Sequence, residues 1–239
     1  MCPVRRDHVR FKKKKLIYAG EHFTENGDWV WTSVAAKEKY LLGSEAAGRG
    51  QNFAASFVNK VLDKIKGIPI IVTDGYKPYL RAVFKRYAVR EKIPYSGRGR
   101  PPIGKLIPHP DLKYGQVIKT RKGVKLEKVE YVSVYGKVPK QLLNTSAIER
   151  HNGTLRTHSS RMRRRSLTFA KSQETFNASL DLNRAYYNFC KDHTSLCIPR
   201  KENNGVYKHV SPAMKIGITD HVWNIRELLG FSYRNNKSH

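Results

Sequence analysis

Hydrophobic positions along the chain fall into short runs of different period, and the periods predict the elements. Trp29 to Ala36 (WVWTSVAA) and Lys39 to Ala47 (KYLLGSEAA) are rich in β-branched, aromatic and small apolar residues. They read as two strands paired through a short turn. Gly48 and Gly50 end that pattern. Phe53, Phe57, Val58, Val61, Leu62 and Ile65 then recur at three- and four-residue steps, which predicts an amphipathic helix stopping at Gly67. Ile68 to Gly75 (IPIIVTDG) is an unbroken apolar run closed by Asp-Gly, the pattern of a strand buried on both faces. Pro78 suits the first turn of a following helix, with Leu80, Val83 and Phe84 on its apolar side.

Beyond Tyr95 the pattern changes. Gly97, Gly99, Pro101, Pro102, Gly104, Pro108 and Pro110 make a basic, turn-rich stretch. Gln116 to Lys137 alternates and contains Lys122-Gly123, which predicts a β-hairpin. Thr145 or Ser146 suits the cap of a long helix carrying Ile148, Leu155 and Met162. A second helix is expected from about residue 170 to Cys190, with Phe176, Leu180, Leu182, Tyr186 and Phe189. The Tyr186, Tyr187 and Phe189 cluster reads as core, and Trp29, Trp31 and Trp223 as packing residues. From Cys197 the tail is rich in Asn and Lys, then turns order-prone again in SPAMKIGITDHVWNIRELL.

Charge narrows the function. The 239 residues include 46 Lys and Arg against 19 Asp and Glu, a formal net charge of +27. Such an excess fits a polyanionic partner, because basic side chains on phosphates release condensed counterions. An anionic membrane is the rival surface, but no basic amphipathic helix with a clear apolar stripe and no lipidation motif is visible. No window approaches 18 uninterrupted apolar residues, and MCPVRRDHVRFKKKK has no apolar signal-peptide core. The cysteines, Cys2, Cys190 and Cys197, form neither a CxxC pair nor an even framework, which favours a reducing compartment. His193 with Cys190 and Cys197 matches no common zinc spacing.

Two acids stand out by position. Asp74 follows a buried strand, at the end where open α/β sheets bind ligands, although a helix cap or turn also accounts for it. Glu149 falls in the first turn of a helix, where dipole compensation is the simpler reason. That helix and its continuation also hold Arg150, Arg156, Arg161, Arg163, Arg164 and Arg165, with His151 and His158. One acid in so basic a setting suits a divalent metal while the arginines take phosphates.

The segment LNTSAIERHNGTLRTHSSRMRRRSLTFAKS, followed by RAYYNFCKDHTSL and SPAMKIGITDHVWNIRELL, resembles the C-terminal half of transposases of the insertion-sequence-one family. VTDGYKPYLRAV resembles the region around that family's second catalytic Asp, and GDWVWTSVAAKEKYLLGSEAAGRG the strand pair before it. The resemblance covers most of residues 28 to 230. TDG alone is weak; TDG with S-x-I-E-R-x-N, the basic run and YYNFC-x-x-H in order is specific. It implies an α/β, ribonuclease H-like fold: a mixed five-stranded sheet flanked by helices, with a β-rich insertion before the last catalytic helix. It also implies DDE chemistry, in which Asp74 and Glu149 are the second and third acids.

Such a core has three antiparallel strands before its first helix, with the first acid on the first strand. Two are visible, so the missing strand is expected near VRRDHVRF, with Asp7 as the first acid. His8 stands where the family has Glu. Asp28, beside the WVWTSV strand, is the substitute, and also suits a turn in its NGD sequence. The three acids would hold two Mg²⁺ or Mn²⁺ ions, which activate first a water and then the freed 3′-OH against phosphodiesters. Asn152 and Arg156 share a helix face with Glu149 by their three- and four-residue spacing. They are expected to contact DNA together with Arg161, Arg163, Arg164, Arg165 and Lys171.

The expected organisation is a first part of the core in residues 1–94, a basic Pro/Gly-rich and hairpin insertion in 95–143, helices completing the core in 144–192 and a tail in 193–239. The partners implied are element ends and target DNA, further copies of the chain on that DNA, and no membrane; the place is the cytoplasm, at the nucleoid. Relatives carry an N-terminal zinc-ribbon or helix-turn-helix module not seen here. A separately encoded product supplying it, or a decayed copy that binds DNA but joins strands poorly, are the expectations. The alternatives in function are a ribonuclease H-like nuclease without strand transfer, and a non-catalytic basic nucleic-acid binder.

Overall fold

A computed structural model describes residues 8–15, 29–95, 97, 99–100, 103–159, 172–199 and 207–231. Among them, six strands form one mixed sheet in the order β3-β2-β1-β4-β7-β8. β1 (His8–Lys15), β2 (Trp29–Ala35) and β3 (Tyr40–Ala47) are antiparallel neighbours. β4 (Ile70–Asp74) lies parallel to β1, and β7 (Tyr114–Lys122) parallel to β4. β8 (Lys125–Tyr135) returns antiparallel at the edge. The protein is therefore mixed α/β, with one strand more than the five expected. The extra strand belongs to the 116–137 hairpin, which extends the main sheet instead of standing beside it as an insertion.

Alternation along the central strands supplies two cores, because successive side chains point to opposite faces. On one face, Trp31, Leu42, Ile71 and Tyr114 pack with α1 (Gln51–Leu62) and α2 (Lys77–Tyr87) through Phe57, Val58, Val61, Tyr79 and Val83. On the other, Val30 and Ala46 meet Leu155, Phe176 and Leu180, while Val34 and Leu41 meet Ile148 and Tyr187. These last residues come from α3 (Ser146–His158), α4 (Gln173–Ala185) and the π-helical turn Tyr186–Cys190. Ser33 lies opposite Gly43 and Val34 opposite Leu41, so Leu42 is an extra residue in β3. Such a bulge turns neighbouring Leu41 and Leu42 toward different cores.

Local chemistry explains several boundaries. A Cβ at Gly43 would sit 3.0 Å from Val61 Cγ2, so the absence of a side chain lets α1 lie close on β3. The hairpin turns through Gly123, at φ 59°, and Val124, as a two-residue loop with glycine first requires. Two short pairs lie outside the main sheet, β5 (Ala88–Arg90) with β6 (Leu106–Pro108), and β9 (Ile198–Pro199) with β10 (Tyr207–Lys208). Two small helices, α5 (Pro212–Lys215) and α6 (Ile225–Gly230), follow. The helix expected to reach Met162 is described to His158, and Met162 itself lies outside the described residues.

Candidate active site

Asp74 ends β4, and its place follows from the apolar run before it: Ile71, Val72 and Thr73 are buried, so the first residue free to face a cavity is the acid. Its Oδ1 accepts a hydrogen bond from the Tyr76 amide at 3.3 Å. Its carbonyl oxygen accepts from Thr73 Oγ1 at 2.8 Å and from Gln116 Nε2 at 3.5 Å. Thr73 and Gln116 are also bonded to the Tyr114 hydroxyl, at 2.8 and 2.9 Å. Burial pushes the Tyr114 phenol up to about 12, so it stays neutral at pH 7. Beneath Asp74, the end of β4 is thus locked to β7 by neutral hydrogen bonds.

Glu149 comes from the other side, in the first turn of α3. Asn144 Oδ1 accepts from the Ser146 amide at 2.6 Å, an Asx turn that starts the helix. Buried Thr145 donates from Oγ1 to Glu149 Oε1 at 2.9 Å. The same oxygen receives Lys119 Nζ, from β7, at 2.5 Å. Asp74 and Glu149 line one cavity of about 650 Å³, with Thr145, Asn152, Lys119 and Arg121. The cavity is open, Asp74, Glu149 and Asn152 bring carboxylate and amide oxygens to it, and two cations, Lys119 and Arg121, stand on its β7 wall.

The other expected residues distribute as follows. Asn152 is buried, lines the cavity and accepts from Thr32 Oγ1 at 3.5 Å. Arg156 lies one turn further along α3 and is half-buried. Arg161, Arg163, Arg164, Arg165 and Lys171 lie outside the described residues, as do Asp7 and Asp28. In the described part of β1, His8 lies opposite Ile70 and Phe11 opposite Thr73. Its sequence, HVRFKKKK, holds no acid. β2 runs the other way, with Trp29 opposite Lys15, and so begins at the Asp74 end of the sheet.

Two cavity residues escaped the sequence reading. Lys119 and Arg121 project from the same face of β7 as buried Val117, two residues apart. The signal was the alternation in QVIKTRK, hidden among the many basic residues around it. Elsewhere, Asp192, Cys197 and His209 bring one ligand atom each within 4.8 Å of one another, a set different from the one weighed from spacing. His209 Nδ1 and Asp192 Oδ2 are already paired at 2.5 Å, and Cys197 Sγ donates to the His193 carbonyl at 3.2 Å.

No family model matches the chain, and no curated protein matches it. Among solved structures, it is similar to a chain in a cryo-EM structure of a piggyBac transposase synaptic complex with hairpin DNA, at 15% identity and a TM-score of 0.34. That likeness covers 73% of this chain and 44% of the other, so this chain spans less than half the length of its neighbour. A likeness of that extent defines neither a shared fold nor a shared activity.

Proposed function

We propose that the chain is the catalytic region of a DDE-type DNA transposase with a ribonuclease H-like core, of the insertion-sequence-one type. The observation that carries the reading is the meeting of Asp74, from the end of β4, with Glu149, from α3, in one cavity. The three antiparallel strands β1, β2 and β3, preceding the first helix α1, are what such a core requires. Asp7, with Asp28 as its substitute, is the proposed first acid, and both lie outside the described residues.

The donor set fits hard divalent cations, which take oxygen ligands. Asp74 and Glu149 would hold Mg²⁺ or Mn²⁺, with the first acid completing a pair of ions. Bound there, the ions supply a Lewis acid for the attacking oxygen and neutralise charge on the phosphate. The protein's own groups prepare the site. The Tyr76 amide and the Thr145 hydroxyl each hold one carboxylate oxygen in place. Lys119 forms an ion pair with Glu149 at the cavity wall. Lys119 and Arg121 draw a DNA backbone toward the acids without reading its sequence. A cytoplasmic, nucleoid-associated place and assembly of several copies on DNA follow from this substrate.

The test is purified chain with Mn²⁺ and supercoiled plasmid, with nicking and strand joining scored separately. Metal-dependent nicking is expected to fall by about two orders of magnitude or more in Glu149→Gln and in Asp74→Asn, since each removes a proposed metal ligand. Mn²⁺ binding, read by electron paramagnetic resonance, should weaken in the same variants. Nicking without joining would favour a nuclease. Unchanged nicking and unchanged Mn²⁺ binding in both variants would sink the assignment.

A further inference from the structure

α3 separates two cavities. The Asp74 cavity takes Thr145, Glu149 and Asn152. At about 100° per residue, Ser146, Arg150, His151 and Thr154 lie on nearly the opposite flank of the helix. They line a second cavity of about 530 Å³, closed by Lys39, Tyr187 and residues 191–195. Three of its lining groups are permanent cations, Lys39, Arg150 and Lys191, and one is an acid, Asp192, so the lining is net positive. The acid is engaged with His209 Nδ1 at 2.5 Å. Lys191 Nζ lies 3.1 Å from His158 Nε2, which leaves its other donors to turn elsewhere.

Two imidazoles in this wall have ring nitrogens without hydrogen-bond partners among the described residues. His151 is 2% exposed, and neither of its ring nitrogens has a hydrogen-bond partner among the described residues. His193 Nε2 is in the same state. The Tyr187 ring stands edge-on to both, 4.6 Å from His151 and 4.7 Å from His193. A neutral imidazole offers one N–H donor. A buried donor left unmade costs free energy, which a ligand that accepts hydrogen bonds would recover.

The cavity therefore presents cationic donors, neutral imidazole donors and an acid already occupied. Its complement is an oxyanion with several acceptor atoms, and a guanidinium such as that of Arg150 matches phosphate geometry. We propose that the cavity between α3 and the 191–195 segment is a phosphate site that seats a backbone phosphate of nucleic acid, separate from any strand drawn to Asp74 and Glu149. The identity of the ligand rests on the nucleic-acid reading above; the oxyanion chemistry rests on the cavity alone. One helix would then hold a reacting acid on one flank and a DNA anchor on the other.

The experiment uses the full chain, a short DNA duplex and inorganic phosphate as separate probes. The imidazole ¹⁵N signals of His151 and His193, assigned by His151→Gln and His193→Gln, are followed during each titration. Duplex is expected to shift both signals. The double variant Arg150→Gln with Lys191→Gln should lose those shifts, bind duplex about tenfold more weakly at moderate salt and lower the salt slope by about two. A parallel Glu149→Gln variant keeps the ring shifts, which separates failure of this site from failure of the catalytic reading. Wild-type binding of duplex with still ring signals, or a double variant within twofold of wild type, would overturn the proposal. A response to inorganic phosphate alone, with none to duplex, would make the cavity a free-anion site and overturn the nucleic-acid assignment.

Discussion

The two edges of the sheet are finished in different ways. At β3, side-chain amides from the helical layer take the place of a further strand. Asn188 accepts from the Leu41 amide at 2.9 Å and donates to the Leu41 carbonyl at 3.0 Å. Asn177 accepts from the Ala46 amide at 2.7 Å, and Gln173 donates to the Ala46 carbonyl at 2.8 Å. These amides come from residues more than 120 positions away in the chain. At β8, by contrast, Leu126, Tyr131 and Val132 are exposed, and the strand carries Lys125 and Lys128. An open edge is guarded there by charge, which deters pairing with another chain. One end of the sheet is closed for stability. The other keeps its basic side chains facing solvent, and the Asp74 cavity lies at that end.

α3 joins the two halves, since Ile148 and Leu155 sit in the cores on the β2 and β3 side while Glu149 faces β7. The largest expected effect in this comparison is the response of that joint to acid. His151 has a folded pKa of about 4 against an ordinary 6.5, so between those values the unfolded chain binds the extra proton. Stability is complete above about pH 6.5 and is lost as pH falls toward 4, by about 3 kcal/mol for this residue. Urea unfolding from pH 7 to pH 4 should show this slope. His193, lowered to the same value, adds to the slope, so His151→Phe should reduce it without abolishing it, and an equal slope in that variant would remove His151 as a source.

The next effect tests the closed edge. Asn188→Ala leaves the buried Leu41 amide and carbonyl without their partner, an expected cost of about 2–3 kcal/mol in chemical denaturation. A cost below about 0.5 kcal/mol would mean that water or a repacked side chain replaces the amide, and the contrast between the edges would lose its energetic basis.

The smallest effect belongs to the open end. Lys119 and Glu149 are 31% and 38% exposed, and ion pairs at that exposure contribute little. Lys119→Gln should change the unfolding free energy by less than about 1 kcal/mol. A loss of several kcal/mol would show that the cavity is part of what holds the two halves together.

Much of the architecture was legible because its signals are local. The period-2 runs at residues 29–47, the apolar run ending at Asp74 and the Lys122-Gly123 turn each depend on neighbouring residues alone. The strand-end position of Asp74 was legible for the same reason. The closing amides were not: nothing near Asn177 or Asn188 in the chain marks them as partners of a strand edge. Nor did the hairpin reveal that its first strand lies parallel to β4, since parallel pairing leaves no turn between the partners. The first strand was expected near Val4 to Phe11, and its described part runs from His8 to Lys15. Its lysines carry no apolar alternation by which a register is read.

By itself the sequence determined the mixed α/β class, most helices and strands, the strongly basic character of the chain and the two acids worth following. Those follow from side-chain period, turn chemistry and charge, which act over a few residues. Long-range packing settles that Asp74 and Glu149 share a cavity, that β1 runs parallel to β4 and β2 antiparallel to β1, and that α3 has an acidic flank and a cationic one. Those depend on strand order and helix docking across more than a hundred residues. There the free energy comes from burying faces against one another, and the pattern of any single segment is compatible with several partners.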